Sequence, residues 1–501
     1  MEHQDELFRL IKSLSKSEKK FFSQYVNLYE KGSSPLYLQV FNFLNDEADY
    51  SEERLFKKFR DKTFQKNYPV TKHYLKNLII KTLRHGDLTV RDDRDLTVYV
   101  LDIKRMMAKG LMPMAKRMIE KLKQEAADDE KLLDMIQLIA MQRGLISMGY
   151  YRQEPEITLD ILDEEEDLLL DKVKQLRQIM NCSIKLYALM HHEGGTLPAE
   201  AILQIEELGK KSFLQNYDKL LTAKAKHTFL QFWTLYHCAL GDYKKYYAYA
   251  CQKLEFVERE KIPNTVSNWL IVGHNHYLAA SLLARNFSEF ETRLAYIEGM
   301  QLKSTFHDAD RFQTVSMFSL LYYIYHYNDV QIRKYIAYSE QGLVNFAPFM
   351  HKSFSYTLRT TIAYAYLRIN ELDACLKEVN ELLALTSAET RRDYVGHVKI
   401  INLMLRYKMR EHAYLSYLIK NTYRFFVSYL YTTPVHQFVI AYLKDAMKTK
   451  GRQQLQELNV RYLTMLKDLR YNPGEGDMAL VMMIEDFMTM DTSFDFIKKS
   501  A

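Results

Sequence analysis

Glycine and proline are scarce in this chain, 16 and 9 of 501 residues, well below the roughly 7% and 5% of average usage. Few positions can therefore break a helix, and the abundance of Leu, Lys, Glu, Ala and Met favours helix over strand throughout. An all-α fold is expected. Cysteine is scarcer still. Cys182, Cys238, Cys251 and Cys375 stand far apart with no C-x-x-C pair, which excludes a disulfide framework and a zinc knuckle and leaves buried free thiols. No run of about 18 uncharged apolar residues occurs, and the opening "MEHQDELFRLIKSL" is charged and amphipathic without an apolar h-region. A soluble, cytoplasmic protein without membrane contact is expected. No stretch is polar enough to read as disordered, and 48% hydrophobic residues can bury a large core.

Catalytic signatures are missing as well. "ELGKKS" has the end of a phosphate loop, but Gln204 stands where the first Gly belongs, so the backbone cradle is absent. His191-His192-Glu193 is not H-E-x-x-H, and His274 and His276 in "GHNHY" face apart on a helix. Nine carboxylates between Glu154 and Asp171 have neither a convergent His nor a calcium-loop Gly. They read as a solvated cluster opposing the dipole of a long helix. No nucleophile with its base, no metal set and no cofactor motif remains, so a non-enzymatic protein is expected.

What is present is a repeated turn. "LYHCALGDYKKYYAYACQKL" (235–254) has apolar helical runs on either side of Gly241, and similar breaks occur at Gly110, Gly149, Gly195, Arg285-Asn286, Asn328, Asn370 and Met409. Successive anchors lie 39, 46, 46, 44, 43, 42 and 39 residues apart. Each unit reads as a helical hairpin. A lone hairpin cannot bury its apolar stripe, so units must stack one on the next into a superhelical solenoid with an inner and an outer face. Gly or Asn suits the turn because a helix C-cap in the left-handed region tolerates those residues best.

Two copies carry a family resemblance. Gly241, Asp242 and Tyr243 match the opening of the tetratricopeptide-repeat turn pattern, with Tyr246 in place of its small residue. Around Asn370, Ile362, Ala363, Tyr366, Leu372, Cys375, Val379 and Leu382 match its packing positions, and Gly110, Met112, Ala115 and Ile119 make a third copy. The chain thus resembles that family over about 95–430, with a period longer than its usual 34 or so residues and without its terminal Pro. The resemblance implies that first-helix positions line a concave groove: Thr357, Thr360, Tyr364 and Arg368 in one copy, Gln231 in another, and Asn275 and Tyr322 in neighbouring ones. Exposed contacts there would serve binding rather than the core. Thirty-seven tyrosines suit packing between helices, with some facing the groove.

Before the repeats, Ser15 with Glu18 forms a capping box, and Ser34-Pro35, Ser51 and Thr71 open further short helices. Residues 51–86 hold ten Lys/Arg and three Asp/Glu, a net +7 against +6 for the whole chain. In "TKHYLKNLIIKTLR", Leu75, Leu78, Ile79 and Thr82 share one face, and His73, Asn77, Lys81 and Arg84 the other. Such a face, with Lys76 beside it, could meet nucleic acid, although a helix ending near Lys62 would leave about eight residues of connection where a helix-turn-helix has three or four. Ile80 lies on the proposed phosphate face. After the repeats, helices broken at Gly451 and a Met-rich helix at 478–490 read as a cap on the final apolar face.

The expected architecture is a right-handed superhelical solenoid of helical hairpins (91–430), a basic N-terminal helical module (1–90) and a C-terminal helical cap (431–501). The expected function is a scaffold taking a protein or peptide in its groove. The alternative is a regulator whose N-terminal module binds nucleic acid through Lys76, Asn77, Lys81 and Arg84 and whose repeats sense a partner.

Overall fold

A computed structural model describes residues 5–29, 36–47, 50–89, 96–153, 157–190, 197–260, 266–302, 305–385, 392–428, 434–470 and 478–490. Among them the secondary structure is helical with no strand. The chain divides into two compact units, residues 1–124 with 137–155, and residues 125–136 with 156–501.

The first unit begins with α1 (Glu6–Ser13), α2 (Lys16–Tyr29), α3 (Leu36–Asp46), α4 (Glu52–Lys58) and α5 (Lys62–Thr89). Phe8, Ile11, Phe22, Phe41, Leu55, Tyr68, Leu75 and Ile79 form their core. The capping box is made, Ser15 N donating to Glu18 and Glu18 N to Ser15 Oγ. Thr71 opens no helix. It lies inside α5, which Asp61 caps through Thr63 N at 2.9 Å and which runs through Pro69. An interior proline costs roughly 3 kcal/mol, but Phe64 and Tyr68 before it and Leu75 and Ile79 after it are all buried, and that burial offsets the cost. The α4–α5 connection is therefore three residues, 59–61, and not eight. Ser34-Pro35 lies outside the described residues. Helices α6 (Leu96–Ala108), α7 (Met112–Asp128) and α8 (Leu132–Ser147) follow.

The second unit holds α9 (Leu159–Met190), α10 (Ala199–Gly209), α11 (Ala223–Ala239), α12 (Tyr243–Arg259), α13 (Val266–Ala284), α14 (Phe290–Glu298), α15 (Thr305–Tyr325), α16 (Asp329–Asn345), α17 (Lys352–Arg368), α18 (Leu372–Ala384), α19 (Arg392–Lys408), α20 (His412–Ser428), α21 (Pro434–Ala446), α22 (Arg452–Arg470) and α23 (Met478–Met490). From α11 to α22 neighbouring helices pack in pairs, and the first helices α13, α15, α17, α19 and α21 also pack on one another. Gly149 and Gly195 flank one long helix, α9, where two were expected, because nothing between Leu168 and Tyr187 stops a helix. Gly194-Gly195 itself lies outside the described residues.

The hairpin turns share one chemistry. At Gly110, Glu130, Gly149, Gly241, Arg285, Tyr327, Asn370 and Arg410 the backbone is left-handed. In each, the next residue's N–H reaches a carbonyl five residues back at 2.8–3.1 Å, as Asp242 N does to His237 O. This Schellman closure satisfies the helix's last carbonyls. Two anchors shift by one: Tyr327 takes the left-handed position and Asn328 caps α16 through Gln331 N, while Arg410 rather than Met409 makes the last turn. In the Gly241 turn, Asp242 caps α12 through Lys245 N, and Tyr243 and Tyr246 are buried. Around the Asn370 turn, Ile362, Ala363, Cys375, Val379 and Leu382 are buried and Tyr366 and Leu372 half-buried.

Candidate functional site

The sequence of α23, "MALVMMIEDFMTM", carries only Glu485 and Asp486 as charges. A helix apolar on nearly every side must be covered on nearly every side, and residues 480–484 and 486–489 are all buried. It does not simply close the end of the stack, as a cap would. After α21 and α22 extend the array, α23 lies back across the first helices, against α15 and α17. Phe487 meets Tyr407 of α19, and Asn459 of α22 donates to Met488 O at 2.7 Å.

Polar groups of the array converge on the acidic pair. The Tyr364 hydroxyl lies 2.6 Å from Met483 O and 2.7 Å from Asp486 Oδ2, one proton facing two acceptors. Arg368 Nε donates to Asp486 Oδ1 at 3.1 Å, and its guanidinium sits over the Tyr327 ring. Arg285 pairs with Glu485. The Thr489 hydroxyl donates to Asp486 O, which leaves the Tyr327 hydroxyl to donate to Thr489 Oγ1 at 3.0 Å. Burial pushes the Asp486 carboxyl up to about 6, against the pull of Arg368 and the Tyr364 hydroxyl, and holds the Tyr364 phenol well above its ordinary range. Arg285 and Tyr327 occupy left-handed turn positions, φ +54° and +57°, which cost a non-glycine residue about 1 kcal/mol or more. Their side chains reach α23.

These contacts correct the expectation for the groove residues. Tyr364 is wholly buried and Arg368 is engaged by Asp486, so neither is an open contact in this structure. Tyr322 is buried and stacked on Phe290, with centroids 4.4 Å apart. Thr360 is buried and donates to Tyr356 O, and Thr357 donates to Ser353 O. Asn275 bridges α13 and α15 by donating to Thr314 Oγ1 at 3.4 Å. Gln231 accepts from Lys253, a fully buried lysine of α12 whose ammonium also lies 3.3 Å from His276 Nδ1. Burial brings that amine down to about 7, and His227, stacked on Trp269, down to about 3.

In the first unit, Asn77, Lys81 and Arg84 are exposed on α5 as expected, Asn77 within 2.9 Å of His73. Lys76 is tied to Glu6 at 2.5 Å. Leu75, Ile79 and Thr82 are buried on the opposite face.

No protein-family model matches this chain, and comparison with curated proteins finds no match. Among the described residues, no group of three His, Cys, Asp or Glu could hold a metal ion, and no helix is long and apolar enough to cross a membrane. His274 and His276 have separate partners, Leu270 O for the first and Lys253 for the second. His191, His192 and Glu193 lie outside the described residues. Of the groups that hold α23, Glu485, Asp486 and Tyr327 were not singled out by the repeat pattern, and Arg285 was named only as a turn residue. Two adjacent acids in an otherwise apolar helix were the available signal, since buried charges require partners.

Proposed function

We propose that the second unit is a tetratricopeptide-like, right-handed superhelical solenoid that serves as a non-enzymatic scaffold, its first helices lining a groove that takes a protein or peptide. The observation that carries this reading is α23, a helix held on the first-helix face by side chains from the ends of α13, α15 and α17. A face that holds one helix in this way has the shape and chemistry for helix-in-groove recognition. Free cysteines suit a reducing, cytoplasmic setting. The test places a photo-cross-linking amino acid in the full chain at Asn275 or Thr357 on first helices, or at Tyr417, exposed on α20, and maps the adducts formed with captured partners. Adducts at the first two positions are expected. Adducts confined to Tyr417 would contradict the groove.

A second reading, nucleic-acid binding by the N-terminal module, is favoured by the three-residue α4–α5 connection and the exposed Asn77, Lys81 and Arg84. It requires that log K fall against log salt by about 0.9 per phosphate neutralised on duplex DNA, and that Glu at Lys81 and Arg84 flatten the slope. No complex of the full chain with mixed oligonucleotides at about 100 μM near 50 mM salt would reject it.

A further inference from the structure

Every helix from α11 to α22 packs on its sequence neighbours; α23 packs on its neighbour α22 and is in addition anchored far upstream, on α15 and α17. Its polar contacts fall 118–122 positions earlier on Arg368 and Tyr364, 162 on Tyr327 and 200 on Arg285, besides one to Asn459 of the adjoining α22. The anchoring groups belong to the hairpin array. Arg368 rests on the Tyr327 ring, Arg285 on the Tyr325 ring, and two of the four are the left-handed residues of hairpin turns. Together they offer two guanidinium groups and a buried phenol to a helix bearing carboxylates. Leu480, Met483, Ile484, Phe487 and Met488 are buried in the same core cluster as the first helices, and methionine is the side chain that adapts most readily to exchange of one apolar partner for another.

We propose that α23 is the resident occupant of a docking groove for a helix of another protein, one that carries an acidic pair beside an aliphatic and methionine stripe, and that α23 leaves the groove when this partner binds. The inference rests on the scaffold reading and adds to it the class of ligand and the element that competes with it. Specificity lies in the charge pairs. An incoming helix must place a carboxylate against Arg368 and the Tyr364 hydroxyl and a second against Arg285. A basic helix of the same shape is refused, because it would bury like charges together.

The test uses the full chain and a fluorescein-labelled synthetic peptide of residues 478–490 with a charged solubilising tail, followed by anisotropy. The wild-type chain should bind it weakly, and Asp486→Arg, which turns the resident helix against Arg368, at least tenfold more tightly. Arg368→Glu should reverse the preference: it should bind a peptide with Arg at the 486 position at least tenfold more tightly than the native peptide. Should Asp486→Arg not fold, Glu485→Lys makes the same test, since its partner Arg285 is a third exposed. A variant that keeps its helical circular dichroism and cooperative melting, yet takes no peptide at 100 μM, would overturn the proposal. So would Arg368→Glu binding both peptides equally. A wild-type dimer that dissociates on Asp486→Arg would also overturn it, because the occupant would then be α23 of a second copy. Failed peptide binding alongside partner adducts at Asn275 and Thr357 would remove this inference and leave the scaffold reading intact.

Discussion

Lys253 lies within an apolar stripe of α12, with Tyr246, Ala250, Leu254 and Val257 at helical spacing around it. Among the described residues its amine meets only the neutral groups of Gln231 and His276. With a native value of about 7 against an ordinary 10.5, the unfolded chain binds more protons between those limits. Stability from this residue therefore rises with pH from about 7 to 10.5, and its cost is greatest below 7. Lys253→Met should stabilise the protein at pH 6 by up to about 5 kcal/mol, less about 1 kcal/mol for the donor that Gln231 loses, and by little near pH 11. Denaturant midpoints of the two proteins across that range check it; equal midpoints at pH 6 would show that the amine reaches water. The stripe position of Lys253 was legible in the sequence. That its partners are neutral was not, since Gln231 and His276 come from two other helices. For the same reason Tyr364 and Arg368 were expected to be open and are not: the acid that covers them lies more than a hundred residues away.

At the scale of elements, the hairpin turns were the most legible feature, because a left-handed C-cap leaves a local mark in Gly and Asn. The marks fail where the turn residue has other work or none visible, as at Glu130, whose carboxylate accepts from Ala223 N and Lys224 N at the start of α11. Gly110 has φ +74° and nothing within 4 Å of where a Cβ would stand. Gly110→Ala should thus cost only the left-handed penalty, about 1 kcal/mol by thermal melting; no change would mean that the turn is not held in that conformation. Helix α5 eluded the local marks because Pro69 reads as a break and burial on both sides of it prevails. For α23, the relevant group is Asp486. Its native value of about 6 exceeds the ordinary 3.8, so the native state binds more protons between those limits and its contribution falls as pH rises from about 4 to 6. The stability difference between wild type and Asp486→Asn should change by roughly 2–3 kcal/mol between pH 4 and pH 7. A pH-independent difference would show that solvent reaches the carboxylate.

For the molecule as a whole, a helical period near 40 residues led to the expectation of stacked pairs up to residue 430, and neighbouring helices from α11 to α20 pack in that way. The return of the last helix across the first-helix face was not expected, because burial of "MALVMMIEDFMTM" is legible in composition while its address is set by groups on α13, α15 and α17. That address is the centre of the account: a helix-binding face with a separable occupant from its own chain. Hydrogen exchange on the intact protein tests it most directly, by comparing the amides of 480–488 with those of 358–367 in α17 as denaturant is raised below the unfolding transition. Exchange of the α23 amides through a smaller opening, with lower protection and weaker denaturant dependence than α17, is the predicted result. Equal protection and equal denaturant dependence in the two helices would make α23 a permanent part of the fold and contradict the account.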